Sequence, residues 1–128
     1  MKLLLDTHIW LWALNDPQHL GKRLLRELHD EENELWLSPI STWEALTLHS
    51  KGRVQLGEDL EVWVARATSG TREAPLTHEI ALAASRLPLH RDPADRILAA
   101  TAQVLDLVLV TADERLLGLG EIRTLANR

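Results

Sequence analysis

KLLLDTHIWLWALN, residues 2 to 15, decides the fold. Three leucines run directly into an acid, Asp6, and the chain turns apolar again at Ile9, Trp10, Leu11 and Trp12. A short continuous apolar run bounded by a polar residue reads as a strand buried on both faces, and the stretch after it has helical period. A carboxylate at that seam needs a reason. Buried and ionised, it costs several kcal/mol unless paired, so it either caps the helix or serves chemistry.

The same unit recurs outward from this stretch. Strands are predicted at 2–6, 34–38 (ELWLS), 73–76 (EAPL, weakened by Pro75), 107–110 (LVLV) and 122–125 (IRTL). Helices are predicted at 7–14, 17–30, 39–50, 58–68, 78–87 and 93–105. Strands alternating with helices imply an α/β fold, with a mostly parallel sheet of four or five strands and helices on both faces. With no repeat, low-complexity tract or linker, residues 1–128 read as a single domain.

Composition narrows the function. The chain has 45% apolar and 26% charged residues, which is ordinary globular usage. Absent cysteines exclude disulfides and thiolate zinc sites and fit the cytoplasm. No stretch approaches the roughly 18–20 apolar residues of a membrane span, and the start does not read as a signal peptide. A net charge of −5 argues against indiscriminate nucleic-acid binding but permits a nuclease whose acids are neutralised by metal. Eleven of the 14 basic residues are arginine, the side chain whose fork fits phosphate.

In an open parallel sheet, ligands bind beyond the carboxyl ends of the strands. Asp6 ends the first strand, Glu44 rides on the helix after the second, Asp95 lies in the first turn of the helix from Pro93, and Asp113 follows the LVLV strand. Each acid also has a structural explanation. Asp6 and Asp92 suit helix N-caps, and Ser41-x-x-Glu44 and Thr111-x-x-Glu114 match capping boxes. Glu44 escapes it, because Ser38 with Pro39 starts its helix earlier and leaves Glu44 inside, on the side of Ile40 and Leu48. Carboxylates converging without basic residues between them repel, and a divalent cation is their usual justification. An all-oxygen set suits Mg²⁺ or Mn²⁺, ions that activate water against phosphate esters. Thr7, Ser41 and Thr111 are placed to hydrogen-bond the acids.

LLLDTHIWLWAL, LSPISTWEAL, HRDPADRILAATA and LVLVTADERL together resemble the four acid motifs of PIN domains, specifically the VapC-type toxins of prokaryotic toxin–antitoxin pairs. The likeness spans nearly the whole chain. It implies a Mg²⁺- or Mn²⁺-dependent endoribonuclease with RNA as substrate, whose metal-binding and catalytic acids fall on Asp6, Glu44, Asp95 and Asp113. It further implies a homodimer and a small antitoxin as inhibitor. Asp92 reads better as a cap. An aspartyl-phosphate phosphatase wants a second acid where His8 stands, and a dinucleotide site lacks its glycine motif. The remaining alternative is a non-catalytic α/β interaction module whose acids are all caps. The six histidines show no metal-binding spacing, although His8 and His90 fall near the rim. Trp10, Trp12 and Trp43 read as core or dimer packing. The apolar excess on helices 7–14 and 17–30 (Ile9, Trp10, Trp12, Leu24, Leu25, Leu28) is a second pointer to a dimer.

Overall fold

The computed structural model describes residues 1–89 and 92–128, so His90 and Arg91, at the head of the third motif, lie outside the described residues. Five parallel strands form one sheet in the order β3-β2-β1-β4-β5. The strands are β1 (Lys2–Leu5), β2 (Glu34–Leu37), β3 (Arg72–Glu73), β4 (Val108–Thr111) and β5 (Arg123–Ala126). The helices are α1 (Thr7–Asn15), α2 (Lys22–His29), α3 (Pro39–Ser50), α4 (Leu60–Ala67), α5 (His78–Arg86), α6 (Pro93–Leu105) and α7 (Glu114–Leu117). The chain builds outward from β1 to β3, then returns to place β4 on the other side of β1. The topological switch therefore lies between β1 and β4, where a parallel sheet opens its ligand crevice.

Strand pleating divides the core in two. Leu3, Leu5, Val108 and Val110 face one layer with Ile9, Trp10, Leu24, Leu37 and Trp63. Leu4 and Leu109 face the opposite layer with Ile80, Leu98, Ala99 and Leu116. Trp10 packs on Trp63 with ring centroids 5.4 Å apart, and its Nε1 donates to the Ala67 carbonyl at 3.2 Å. No helix among the described residues is long and apolar enough to cross a membrane.

Four details differ from the sequence reading. The helix expected at 17–30 is a 3₁₀ turn at Pro17–His19 followed by α2. They part at Gly21, whose N–H donates to Asn127 Oδ1 at 2.8 Å, while Leu24 N–H donates to the Arg128 carbonyl at 2.9 Å. The third strand shrinks to two residues ahead of Pro75, as the missing N–H requires. The helix α7 was not expected, and neither capping box forms. Ser38 caps α3 and Asp113 caps α7, leaving Ser41 inside its helix. Finally, the core takes up much of the apolar surface of α1 and α2: Ile9, Trp10 and Leu24 are buried, Trp12, Leu25 and Leu28 are half-buried against it, and Leu14 stays exposed. The large exposed apolar side chains include Trp43, Val62 and Leu82, on α3, α4 and α5, with Trp43 60% exposed.

Candidate metal centre

The carboxyl ends of β1 and β4 are joined by side chains. Asp6 leaves β1 in extended conformation and caps α1, its Oδ1 accepting the Thr7 N–H at 2.8 Å. Its Oδ2 accepts from Thr111 Oγ1, the last residue of β4, at 2.6 Å. Thr111 Oγ1 in turn accepts the Asp113 N–H at 3.0 Å. A second chain of contacts runs toward α3. The buried Thr7 Oγ1 lies 2.5 Å from Glu44 Oε1 and 2.9 Å from Ser41 Oγ. A hydroxyl has one proton, so Thr7 gives it to the carboxylate and takes the proton of Ser41. These bonds tie Asp6 and Glu44, which no local sequence rule connects, into one network across the switch point.

Both acids hold protons more tightly than usual. Burial is the leading cause for Asp6, opposed by the Thr111 and Thr7 hydrogen bonds and by His8, with Asp113 adding repulsion. Burial also leads for Glu44; the Thr7 hydrogen bond opposes it, and Asp92, Asp6 and Asp95 push it further up. Repulsion among the acids is thus present, as the sequence implied, but desolvation is the larger effect. Asp95 sits in the first turn of α6 behind Asp92, whose Oδ1 caps that helix by accepting Ala94 N–H at 3.0 Å and Asp95 N–H at 3.4 Å.

Two arginines lie beside the acids, Arg96 within the third motif and Arg115 within the fourth, and the sequence reading gave neither a role. Arg115, two residues past Asp113, turns back on it, with Nη2 3.1 Å from Oδ2 and Nε 3.3 Å from Oδ1. Arg96 points away from the rim and donates to the carbonyls of Ala84, Leu87 and Leu89 at 2.8, 3.1 and 2.7 Å. It closes the C-terminal end of α5 and fixes the start of α6, on which Asp95 stands. The only signal for either was adjacency to a motif acid.

The donor set suits a hard cation. Each Asp6 oxygen accepts one hydrogen bond and retains a lone pair, Glu44 feels three other carboxylates, and all donors are oxygen. Among the described residues no three His, Asp or Glu side chains stand close enough to wrap an ion as placed.

Comparison with known proteins follows the same lines. A model of the PIN domain family matches residues 3–122. The chain is 33% identical over 116 residues to Ribonuclease VapC22 of Mycobacterium tuberculosis, covering 89% of this chain and 88% of that one. A crystal structure of VapBC2 from Rickettsia felis, bound to a DNA fragment from its promoter, superimposes with TM-score 0.75 at 17% identity over 98% of both chains. DNA-bound VapBC from Salmonella typhimurium gives 0.74 at 19% identity, over 100% of this chain and 99% of that one.

Proposed function

The chain belongs to the PIN domain family, and from that premise we propose that it is a metal-dependent endoribonuclease acting as the toxin of a toxin–antitoxin pair. The observation that carries the reading is the hydrogen-bonded link from Asp6 through Thr7 to Glu44 at the switch point of the sheet. Residues 1–128 act as one PIN domain, in the cytoplasm, on RNA, with a cognate antitoxin as partner. Solved structures of the same fold include a toxin–antitoxin complex from Klebsiella pneumoniae, which supports that partner. A homodimer rests on the family likeness alone.

Asp6, Glu44 and Asp95 would hold Mg²⁺ or Mn²⁺, with Asp113 completing the set. A divalent ion held there would supply an activated water and charge neutralisation at the phosphate. Thr7 and Thr111 orient the two buried carboxylates and keep them ionised against the desolvation that favours protonation. Glu44 would ligate the ion directly or through a water, its carboxylate held by the Thr7 hydroxyl.

The test is cleavage of single-stranded RNA in Mn²⁺ or Mg²⁺ and its arrest by EDTA. Asp6→Asn, Glu44→Gln and Asp95→Asn should each abolish cleavage and leave the circular dichroism spectrum unchanged. Full activity in all three refutes the assignment. The interaction-module reading has one observation in its favour, since Asp6, Asp92 and Asp113 all do cap helices. It leaves Glu44 without a role.

A further inference from the structure

Asp113 differs from Asp6 in what occupies it. Its Oδ1 accepts both the N–H of Arg115, at 2.9 Å, and the Nε of the same residue, while Oδ2 takes Nη2. One arginine thus contacts both carboxylate oxygens, with two N–H groups on Oδ1 and one on Oδ2. The arginine itself is open, with 63% of its side chain exposed, whereas Asp113 is 24% exposed. Its charge is stabilised first by Asp113 and also by Asp95 and Asp92, so it sits in the field of three rim acids.

Resting on the nuclease reading, we propose that Arg115 is a displaceable counter-ion of the acid centre and a phosphate-binding residue. Without a divalent ion the guanidinium holds Asp113. When a cation takes that carboxylate, the guanidinium is released toward the substrate backbone.

Three arguments lead there. Two Arg115 N–H groups already lie on Oδ1, and two cations sharing one carboxylate repel each other, so a metal ion reaching Asp113 loosens Arg115. The side chain then has room to turn, because most of its surface is in water and, among the described residues, Nε and Nη2 hydrogen-bond to Asp113 alone. A chain of net charge −5 must also bring a polyanion to a rim of acids. A guanidinium fork pairs with two phosphate oxygens as readily as with two carboxylate oxygens. Exchange of Arg115 between the two anions lets one residue balance the site before and after metal binding. It also makes metal and RNA binding mutually reinforcing, since each favours the released arginine.

The experiment uses the full chain and two variants, Arg115→Ala and Arg115→Lys. Calorimetric titration with manganese chloride, in the absence of RNA, should show Arg115→Ala binding Mn²⁺ about two- to fivefold more tightly than wild type, the size expected for removing an exposed competing charge. On fluorescein-labelled single-stranded RNA in saturating Mn²⁺, the same variant should raise KM about tenfold and leave kcat nearly unchanged. Arg115→Lys, a point charge without the fork, should keep the wild-type Mn²⁺ affinity and show a smaller rise in KM. Should Arg115→Ala melt early, Arg115→Gln carries the same comparison. Mn²⁺ affinity unchanged or weakened in the uncharged variant, or an unmoved KM, overturns the inference while the nuclease reading stands. A wild-type chain that binds no Mn²⁺ and cleaves no RNA overturns both.

Discussion

Glu44→Gln should make the metal-free protein more stable at neutral pH. Burial, with Asp92, Asp6 and Asp95 behind it, raises the Glu44 pKa above its ordinary 4.5. A carboxyl protonated more readily in the fold than in the unfolded chain favours the fold below pH 4.5. That advantage is lost as pH rises from 4.5 through the raised value. At pH 7 the ionised side chain therefore opposes folding, and Gln removes the charge while keeping an oxygen to accept the Thr7 hydroxyl. Glu44 is only half-buried, so water screens the effect to roughly 0.5–1 kcal/mol. For 128 residues the unfolding entropy is about 0.27 kcal/mol per kelvin, which converts this to a gain of about 2–4 °C in Tm. Mn²⁺ at a hundredfold excess over its Kd should raise wild-type Tm by about 10 °C, from about 2.7 kcal/mol of linkage, and the variant by much less. Melting by circular dichroism, with and without Mn²⁺ and at pH 7 and pH 4, reads all of this. The variant's gain should fade as pH drops through 4.5. A variant that melts no higher than wild type at pH 7, or whose gain persists at pH 4, refutes the argument.

Thr7→Val keeps the shape of the side chain and deletes the hydroxyl between Ser41 and Glu44. It should lower Tm by about 4–11 °C, from about 1–3 kcal/mol of unsatisfied polar groups, and impair RNA cleavage, whereas Thr7→Ser should retain both. Gly21→Ala should also destabilise, although the same change at an unconstrained site stabilises by about 0.4–1 kcal/mol. A Cβ there would stand 1.8 Å from the Arg128 carbonyl carbon, so the docked 127–128 segment must move. A fall of about 4–11 °C is expected from about 1–3 kcal/mol of overpacking, and an unchanged or higher Tm would show that the segment gives way freely.

The sheet was legible because its central strands are buried on both faces. Leucines 3 to 5 and residues 108 to 110 are apolar at every position, a pattern that surface strands do not show. The edges were less so. The strand β3 has only Arg72 and Glu73, both exposed, and owes its place to pairing with Trp36 and Leu37. The helix α7 is one turn long, below the length at which a 3.6-residue period can be recognised. The break at Gly21 was hidden for a different reason. Its cause is the distant backbone of Arg128, and lysine, arginine and leucine around it all favour helix.

At the rim, sequence could name the acids but could not separate capping from chemistry, and the structure shows why the two coincide. A helix that starts directly after a strand needs an acceptor for its first N–H groups, and the carboxyl edge of the sheet is also where a ligand binds. One aspartate can meet both demands because a carboxylate has two oxygens. Asp6 gives Oδ1 to the cap of α1 and turns Oδ2 to Thr111 across the switch point. Asp92 has its Oδ1 on the cap of α6 and Asp113 has both oxygens on Arg115, so capping accounts for more of what these two do. Glu44 is the acid that capping does not explain. It lies in the second turn of α3, whose cap is Ser38, and it accepts the hydroxyl of Thr7 on another helix. A desolvated acid that caps nothing, placed within the field of Asp6, Asp92 and Asp95, opposes folding by its charge, with the Thr7 hydrogen bond as partial return. A cation bound among these carboxylates would reverse that sign, which is why the response of Tm to Mn²⁺, with and without Glu44, separates a catalytic rim from a row of caps.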